Sequence, residues 1–205
     1  MAPTNPLLIL LSAPSGGGKT TLCDQLLAKH SNITRAVTCT TRAPRAGEEN
    51  GIHYHFLKRE VFLAQVAAGD FLEHASVYEN LYGTWKSEVL NKLQSGRHVI
   101  LNIDVQGANS VRAAAQSDPQ LAGRLISVFL TPPSMADLEQ RLNKRASEST
   151  EARARRLQQA AIELAEWSKF DYLIVSTSIA EDLRRMEVVL EAEMMRQQRA
   201  VAPTF

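Results

Sequence analysis

The chain has 205 residues, in which 23 Lys and Arg nearly balance 22 Asp and Glu. This length predicts one domain, or one domain with inserted subdomains. A composition of 44% hydrophobic and 22% charged residues is typical of a soluble globular protein and excludes a disordered or fibrous one. The near-neutral charge argues against nucleic acid or a membrane as a partner, but it leaves room for a local basic site that binds a small anion.

Cysteine content and apolar runs predict the compartment. Cys23 and Cys39 are too few for a disulfide scaffold and lack CxxC spacing, so we expect two free thiols in a reducing cytoplasm. The longest apolar run is the five residues Leu7–Leu11, against about 20 needed to cross a bilayer. No Lys or Arg precedes Lys19, so the basic leader of a signal peptide is missing. We therefore expect a cytoplasmic protein.

Hydrophobic periodicity predicts strands that alternate with helices. In chain order these are a strand at Leu7–Ser12, a helix at Lys19–Lys29, strands at Val99–Asp104 and Leu125–Leu130, a helix with its N-cap at Ser134, a helix at Glu151–Lys169, a strand at Tyr172–Val175 and a helix at Ile179–Arg199. None of the strands alternates cleanly between apolar and polar residues, so we expect burial on both faces of a parallel sheet. The pattern predicts a doubly wound α/β fold.

Two stretches do not fit this alternation. Residues 35–85 mix Thr, Arg, Gly, His and Tyr with short β-prone pieces and are too long for a loop, which predicts an inserted subdomain. Residues 141–156 carry six basic residues, and such a run usually forms a solvated helix face. These six are Arg141, Lys144, Arg145, Arg153, Arg155 and Arg156.

A glycine-rich segment joins the first strand to the first helix. Its sequence is Ala13-Pro14-Ser15-Gly16-Gly17-Gly18-Lys19-Thr20, which follows the phosphate-loop pattern G-x-x-x-x-G-K-[ST] except that Ala13 replaces the first glycine. Glycines let backbone N–H groups surround an anion, and the N-terminus of the following helix favours negative charge. Lys19 can reach the β- and γ-phosphates, and the Thr20 hydroxyl can bind Mg²⁺. The loop predicts binding of a nucleoside triphosphate and leaves a GTPase, an ATPase motor and a small-molecule kinase open.

Four further motifs carry a resemblance to a known family. They are Thr40–Glu48 (TTRAPRAGE), Gly51–Phe56 (GIHYHF), Phe71–His74 (FLEH) and Leu81–Thr84 (LYGT). With the phosphate loop, and over most of the chain to about Tyr172, these motifs resemble guanylate kinases, in which the first two form the GMP-binding subdomain. The resemblance implies a phosphate-loop NTPase three-layer fold with a parallel core sheet, an inserted mixed α/β GMP-binding subdomain and a helical lid.

Side chains in these motifs also suit a guanine nucleotide on chemical grounds. Arg42 and Arg45 are forked cations in a proline-stiffened segment, and Tyr54 and Tyr82 can donate hydrogen bonds to the same phosphate. Glu73 is a carboxylate in an apolar stretch, and guanine presents N1–H and its 2-amino group as adjacent donors to one carboxylate. Adenine lacks both donors and would leave Glu73 unpaired, which costs enough free energy to give strong discrimination.

The resemblance implies a site drawn from most of the chain. For ATP it implies Ala13, Pro14, Ser15, Gly16, Gly17, Gly18, Lys19, Thr20, Thr21 and Ser176. For GMP it implies Thr38, Arg42, Arg45, Tyr54, Glu73, Tyr82, Gly83, Thr84 and Asp104, with Thr20 as the Mg²⁺ ligand and Asp104 acting on the metal through water. For the transferred phosphate it implies Lys19, Arg42, Arg141, Arg145 and Arg156, which makes the basic run at 141–156 a candidate lid.

Three positions depart from the family pattern. Asn102 stands where Asp is usual, and we expect activity to survive because Asp104 remains. Trp85 replaces a small hydroxyl residue, and we favour a packing role for it over stacking near the acceptor. Ser176-Thr177 replaces the Asn-Asp pair that contacts the donor adenine, where the two hydroxyls can still hydrogen-bond the base.

The sequence thus predicts a Mg²⁺-dependent cytoplasmic guanylate kinase of purine metabolism. It would transfer the γ-phosphate of ATP to GMP or dGMP as a monomer or homo-oligomer, with no nucleic acid or membrane as a partner. Its predicted parts are a core at 1–34, 88–139 and 157–205, a GMP-binding subdomain at 35–87 and a lid at 140–156. Two alternatives stay open. One is a guanylate-kinase-like binding module, a class that has generally lost the phosphate loop, and the other is a phosphate-loop kinase of another phosphorylated acceptor.

Overall fold

The computed structural model describes residues 5–77, 79–143 and 150–200. Its strands are β1 (Leu8–Ser12), β2 (Ile33–Arg35), β3 (Cys39–Thr40), β4 (His55–Phe56), β5 (Phe71–Val77), β6 (Asn80–Trp85), β7 (His98–Asn102), β8 (Leu125–Thr131) and β9 (Tyr172–Val175). Its helices are α1 (Lys19–Lys29), α2 (Arg59–Ala68), α3 (Lys86–Gln94), α4 (Val105–Ser117), α5 (Met135–Asn143), α6 (Thr150–Ala165) and α7 (Ile179–Met195), with a 3₁₀ helix at Glu166–Lys169.

Five of the strands form one sheet in the order β2-β7-β1-β8-β9. Strand β2 pairs with β7, and β8 pairs with β9, in parallel. Backbone hydrogen bonds run from Val99 N to Leu7 O and from Ile103 N to Leu11 O, so the partners advance in the same direction and β1 and β7 are parallel too. The prediction of an α/β fold with a parallel core sheet is therefore confirmed.

Burial along these strands follows their place in the sheet. All five residues of β1 are buried, and so are six of the seven residues of β8, which confirms the expected burial on both faces. Strand β9 differs, because Leu173 is 42% exposed. This strand lies at the edge of the sheet, where fewer elements cover it.

A second sheet has the strand order β4-β3-β6-β5. Strand β3 pairs in parallel with β4 and antiparallel with β6, and β6 pairs antiparallel with β5. Helix α2 packs near β5 through Phe62, which is 1% exposed and stacks on Phe71 with 4.5 Å between ring centroids. All these elements fall within the segment 35–87, whose role as a subdomain stays a prediction.

The observed ends of the helices can be compared with the bounds and the N-cap that the sequence predicts. Helix α1 has the predicted bounds, and Asp137 N donates to Ser134 Oγ at 3.1 Å, which confirms the N-cap of α5. The stretch predicted as one helix at Glu151–Lys169 is α6 followed by the 3₁₀ helix.

Helix α7 ends earlier than predicted. The sequence predicts a helix to Arg199, but α7 stops at Met195 and Arg196 is extended, with φ −60° and ψ 135°. The turn that follows lets Arg199 pair with Glu193, and both side chains are almost fully buried. Glu193 also accepts from the Tyr172 hydroxyl. The prediction of a helix to residue 199 is therefore wrong. The turn brings Arg199 to Glu193, and a buried charge requires such a close partner.

The described residues form two compact units. Unit 1 lies within Met1–Leu8, Asn32–Leu101 and Gln106–Leu125, and it contains the smaller sheet with α2, α3 and α4. Unit 2 lies within Ile9–Ser31, Asn102–Val105 and Ile126–Phe205, and it contains the glycine-rich segment with α1, α5, α6 and α7.

The structure also bears on the thiols and on membrane segments. Cys23 and Cys39 are fully buried thiols that are not joined in a disulfide. Burial raises the pKa of Cys39 to about 12, and the carboxylates of Glu88 and Glu73 add to the shift. In the part of the chain that the structure describes, no helix is both long and apolar enough to cross a membrane.

Candidate active site

The glycine-rich segment forms a tight loop between β1 and α1. Gly16 and Gly18 have φ of 85° and 97°, a region that favours glycine, and Gly17 N donates to Pro14 O at 2.8 Å. A Cβ on Gly16 would lie 2.8 Å from Leu142 Cδ2, and one on Gly17 would lie 2.9 Å from Pro14 O. The positive φ at Gly16 and the backbone contact at Gly17 therefore favour glycine at both positions, and the bare backbone suits close approach of an anion.

Lys19 begins α1 beside this loop. Its Nζ donates to Ile103 O at 3.0 Å. Burial lowers the pKa of Lys19, while the carboxylates of Asp104 and Glu163 oppose that shift. One cation and two carboxylates thus act on each other beside the phosphate loop. Among the residues predicted to bind ATP, Ala13, Pro14 and Gly17 are buried, Ser15, Gly16, Gly18 and Lys19 are partly buried, and Thr20 and Thr21 are exposed.

Glu163 of α6 is a site residue that the sequence reasoning missed. It is 9% exposed, its Oε2 accepts from Ser15 N at 3.0 Å and its Oε1 accepts from Gln159 Nε2 at 3.3 Å. A carboxylate therefore already contacts one N–H of the phosphate loop. In the sequence, its spacing of three residues from Ala160 places both on one face of the helix, but that spacing does not show that the face is buried.

Arg141, predicted in the lid, contacts the phosphate loop. Its Nη1 lies 3.5 Å from Gly17 O, and its Nη2 donates to Ser176 Oγ at 3.2 Å. Ser176 is 3% exposed and donates to Asp182 Oδ2 at 2.6 Å. The structure thus brings together two predicted residues, Arg141 and Ser176, and adds Asp182, which the sequence reasoning did not name.

The other two predicted lid arginines are Arg145 and Arg156. Arg145 lies outside the described residues. Arg156 belongs to α6 and is partly buried. The lid therefore stays a prediction at these two positions.

In unit 1, the predicted base-reading residues lie opposite each other on two strands. Glu73 of β5 is in register with Thr84 of β6, and both are buried. Thr84 Oγ1 donates to Glu73 Oε1 at 2.7 Å. Next to them, a Cβ on Gly83 would lie 3.0 Å from Glu73 O, so a larger residue would not fit easily. Thr38 is partly buried, and its carbonyl accepts from His55 N at 2.9 Å.

Arg42 is paired with an internal carboxylate. Its Nη2 lies 2.8 Å from Oε1 and 2.9 Å from Oε2 of Glu48, and the backbone N of Arg45 donates to the same carboxylate at 2.7 Å. The hydrogen bond to Glu48 raises the pKa of Arg42, and the bonds from Arg42 and Arg45 lower the pKa of Glu48. Glu48 stands in the motif, yet the sequence reasoning gave it no role.

Two tyrosines and Asp104 complete the predicted acceptor set. The rings of Tyr54 and Tyr82 lie 6.2 Å apart, and the Arg42 guanidinium lies 5.6 Å from the centre of the Tyr54 ring. Burial, with the nearby Tyr82, raises the pKa of Tyr54, so its phenol stays protonated as a donor. Asp104 is partly buried and belongs to unit 2.

Among the three departures from the family pattern, Trp85 makes several side-chain contacts. Its Nε1 donates to Gln65 Oε1 at 3.0 Å, and its ring lies 4.6 Å from that of His55 and 6.5 Å from that of Phe71. These contacts make Trp85 a packing residue of the smaller sheet. Asn102 is partly buried at the end of β7.

Three features define this chain as a phosphate-loop nucleotide-binding protein. They are the parallel sheet, the glycine loop that joins its first strand to a helix, and the lysine at the start of that helix. A family model described as guanylate kinase matches residues 5–193. The chain therefore belongs to the guanylate kinase family, whose enzymes are nucleoside-monophosphate kinases.

Individual relatives agree with this assignment. The chain is 44% identical to a guanylate kinase from Clostridium perfringens over 93% of this chain and 85% of that protein. It is 42% identical to one from Pseudoalteromonas translucida over 95% and 91% of the two chains. The crystal structure of guanylate kinase from Anaplasma phagocytophilum superposes with a TM-score of 0.75 at 33% identity and covers 97% of this chain and 92% of that one.

A more distant structure shares the fold alone. The SH3-kinase fragment of tight junction protein 3 matches with a TM-score of 0.50 at 13% identity, over 96% of this chain and 60% of that one.

Proposed function

We propose that this chain transfers the γ-phosphate of ATP to GMP, and to dGMP, giving ADP and GDP or dGDP. The observation that carries the choice of acceptor is the buried Glu73–Thr84 pair. A carboxylate that is 6% exposed needs donors, and guanine offers two adjacent ones at N1 and its 2-amino group. A base without those donors would desolvate Glu73 without compensation, so the site rejects it.

The acceptor phosphate is assigned to Arg42, Arg45, Tyr54 and Tyr82. Arg42 is bound by Glu48, so we expect the phosphate to displace that carboxylate rather than enter an empty site. A dianionic phosphate carries more charge than a carboxylate and accepts more hydrogen bonds, which favours the exchange. Thr38, Gly83 and Asp104 are assigned to the acceptor nucleotide by resemblance.

The donor triphosphate is assigned to the phosphate loop with Lys19, Thr21 and Ser176. Loop N–H groups and the start of α1 favour negative charge, and Lys19 supplies a cation beside them. Arg141 already contacts Gly17 O and Ser176, and with Arg145 and Arg156 it would neutralise charge on the group in transfer. Closure of these arginines would also exclude water from the γ-phosphate.

The residues present fit a magnesium ion held mainly by its nucleotide. Thr20 offers an exposed hydroxyl at the start of α1, and Asp104 offers a carboxylate whose charge acts on Lys19, so the donors are the hard oxygens that Mg²⁺ prefers. Within the described residues, no group of three or more His, Cys, Asp or Glu can hold a metal. Phosphate oxygens and water would therefore supply the remaining ligands. When bound, the ion would neutralise part of the negative charge on the phosphates.

The alternative of a binding module predicts a different state of the loop. Such modules have generally lost the phosphate loop, whereas here the backbone favours glycine at Gly16 and Gly17 and Lys19 is in place. This observation favours catalysis. The second alternative, a kinase of another phosphorylated acceptor, is disfavoured by the buried Glu73–Thr84 pair.

One assay separates these functions. ADP release from ATP would be measured with GMP, dGMP, AMP, CMP and UMP as acceptors. We expect turnover with GMP and dGMP only. No turnover with GMP together with binding of a phosphopeptide would refute the proposal in favour of a binding module. Turnover with a different monophosphate in place of GMP would refute the role of Glu73.

Three broader assignments belong to the same proposal. We assign the chain to three parts, which are a core at 1–34, 88–139 and 157–205, a GMP-binding subdomain at 35–87 and a lid at 140–156. The protein works in the cytoplasm on the small molecules ATP and GMP. It acts as a monomer or a homo-oligomer, which sedimentation analysis of the purified chain would decide.

A further inference from the structure

We propose that Asp182 determines which nucleobase the donor site accepts, and that it favours a purine with an amino group at position 6. The inference rests on the proposed function, because it concerns the donor of the same reaction. It is drawn from a cavity of about 320 Å³ in unit 2, between the phosphate loop, the start of α1 and the segment that leads into α7. This volume lies within the range of small-molecule sites.

Asp182 presents a buried carboxylate to this cavity. It is 6% exposed and lines the cavity wall. Its Oδ2 accepts from the Ser176 hydroxyl at 2.6 Å, and its Oδ1 accepts from Thr177 N at 3.1 Å. A carboxylate has about four lone-pair sites, so these two bonds orient it and leave capacity for a donor on a ligand.

The neighbouring hydrogen bonds fix the polarity of the wall. Ser176 has one hydroxyl hydrogen, which it donates to Asp182, while its oxygen accepts from Arg141 Nη2 at 3.2 Å. Ser176 therefore cannot donate to a base while this network is intact. Thr177 and Ser178 are exposed, and their hydroxyls can donate or accept, so they do not discriminate between bases.

The charged side chains of the cavity strengthen its preference for a base that carries a hydrogen-bond donor. Asp182 and Arg141 are the two charged side chains among the described residues that line the cavity, and Arg141 also reaches Gly17 O in the phosphate loop. Asp182 is left as the charged group that faces a base. The 6-amino group of adenine would donate to it a charge-assisted hydrogen bond. A 6-keto oxygen, as in hypoxanthine or guanine, would instead set its lone pairs against those of the carboxylate.

Inosine triphosphate tests this effect, because hypoxanthine has a keto oxygen in place of the 6-amino group of adenine, together with a proton at N1. With GMP as acceptor, kcat/KM would be measured for ATP and for inosine triphosphate. We expect Asp182→Asn to lower the ratio of kcat/KM for ATP to that for inosine triphosphate at least about tenfold, because one charge-assisted hydrogen bond is lost. An amide can turn its NH₂ towards a keto oxygen, so use of inosine triphosphate should rise relative to ATP.

Glu181→Gln is the matched control. Glu181 lies in the same turn of α7 and is paired with Arg184 and Arg185. This variant removes the same charge next to the cavity, and we expect its ratio to match the wild type. If Asp182→Asn lowers kcat/KM for both donors equally, Asp182 only orients Ser176 and the proposal is wrong.

Binding to the wild-type protein keeps the proposal testable if Asp182→Asn fails to fold. Dissociation constants would be measured for ADP and inosine diphosphate without an acceptor. We expect ADP to bind at least about tenfold more tightly. Equal affinities would overturn the inference. If the wild type does not phosphorylate GMP but still prefers ADP, the proposed function fails, while the inferred preference of the cavity for a 6-amino purine stands.

Discussion

Replacing Glu73 by Gln tests the reading of the guanine base most directly. Glu73 is buried and its Oε1 accepts from the Thr84 hydroxyl at 2.7 Å. Gln keeps one oxygen acceptor, which Thr84 can occupy, and places an NH₂ group where the base also presents donors. Two charge-assisted hydrogen bonds of about 1.5–3 kcal/mol each are weakened or lost. We expect a net loss of about 3–4 kcal/mol, which is a roughly 10²- to 10³-fold fall in kcat/KM for GMP.

The assay compares the two substrates of one variant. Steady-state kinetics would give kcat/KM for GMP, and equilibrium titration would give the dissociation constant of ATP. We expect the ATP constant of Glu73→Gln to match the wild type and the use of AMP relative to GMP to rise. Glu79→Gln, an exposed change between β5 and β6, is the control and should leave both values unchanged. Equal losses for GMP and ATP would show that Glu73 is structural and would refute the reasoning.

Three further predictions concern the phosphate loop and the core sheet. Gly16→Ala should destabilise the fold by about 2–4 kcal/mol in urea unfolding, since it combines a positive φ with a Cβ 2.8 Å from its neighbour. Glu163→Gln should weaken the bond from Ser15 N by about 1 kcal/mol, which speeds hydrogen exchange of that amide roughly fivefold. Burial lowers the pKa of His98, so the unfolded chain binds more protons and stability falls as the pH drops from about 6.5 towards the folded-state pKa. In His98→Asn, measured by urea unfolding at several pH values, this part of the decline should be absent.

Each of these predictions has a result that would contradict it. Gly123→Ala is the control for Gly16, since it has a φ of 72° and open space around the added Cβ, so an equal cost in both variants would remove the steric argument. Unchanged exchange of the loop amide in Glu163→Gln would mean that the carboxylate does not hold it. Parallel pH curves for the wild type and His98→Asn would show that another group titrates.

Local signals were enough to predict some elements of unit 2. The bounds of α1 and β9 follow from the glycine loop and from a short apolar run, which act over a few neighbouring residues. The end of α7 did not follow, because it depends on the pairing of Arg199 with Glu193 and the turn between them. Helix propensity gives no indication of such a tertiary contact.

The residues that the sequence did not reveal share one property. Glu163 and Asp182 reach their partners in the phosphate loop and at Ser176 from separate helices, and both are acidic residues on helices that carry many others. Composition and periodicity cannot separate a buried carboxylate from an exposed one when neighbouring positions are equally polar. Arg42 was predicted, but its carboxylate partner Glu48 was not, because the motif suggested a ligand rather than an internal pair.

The two buried thiols make this protein a convenient object for site-specific labelling. Cys23 and Cys39 are fully buried, and a pKa of about 12 keeps Cys39 protonated at neutral pH. A maleimide reagent should therefore leave the folded native chain almost unmodified. One cysteine introduced at an exposed position of unit 1 and another in unit 2 would carry a pair of fluorophores without removal of either native thiol. Energy transfer between the two labels would test whether the distance between them changes when a nucleotide is added.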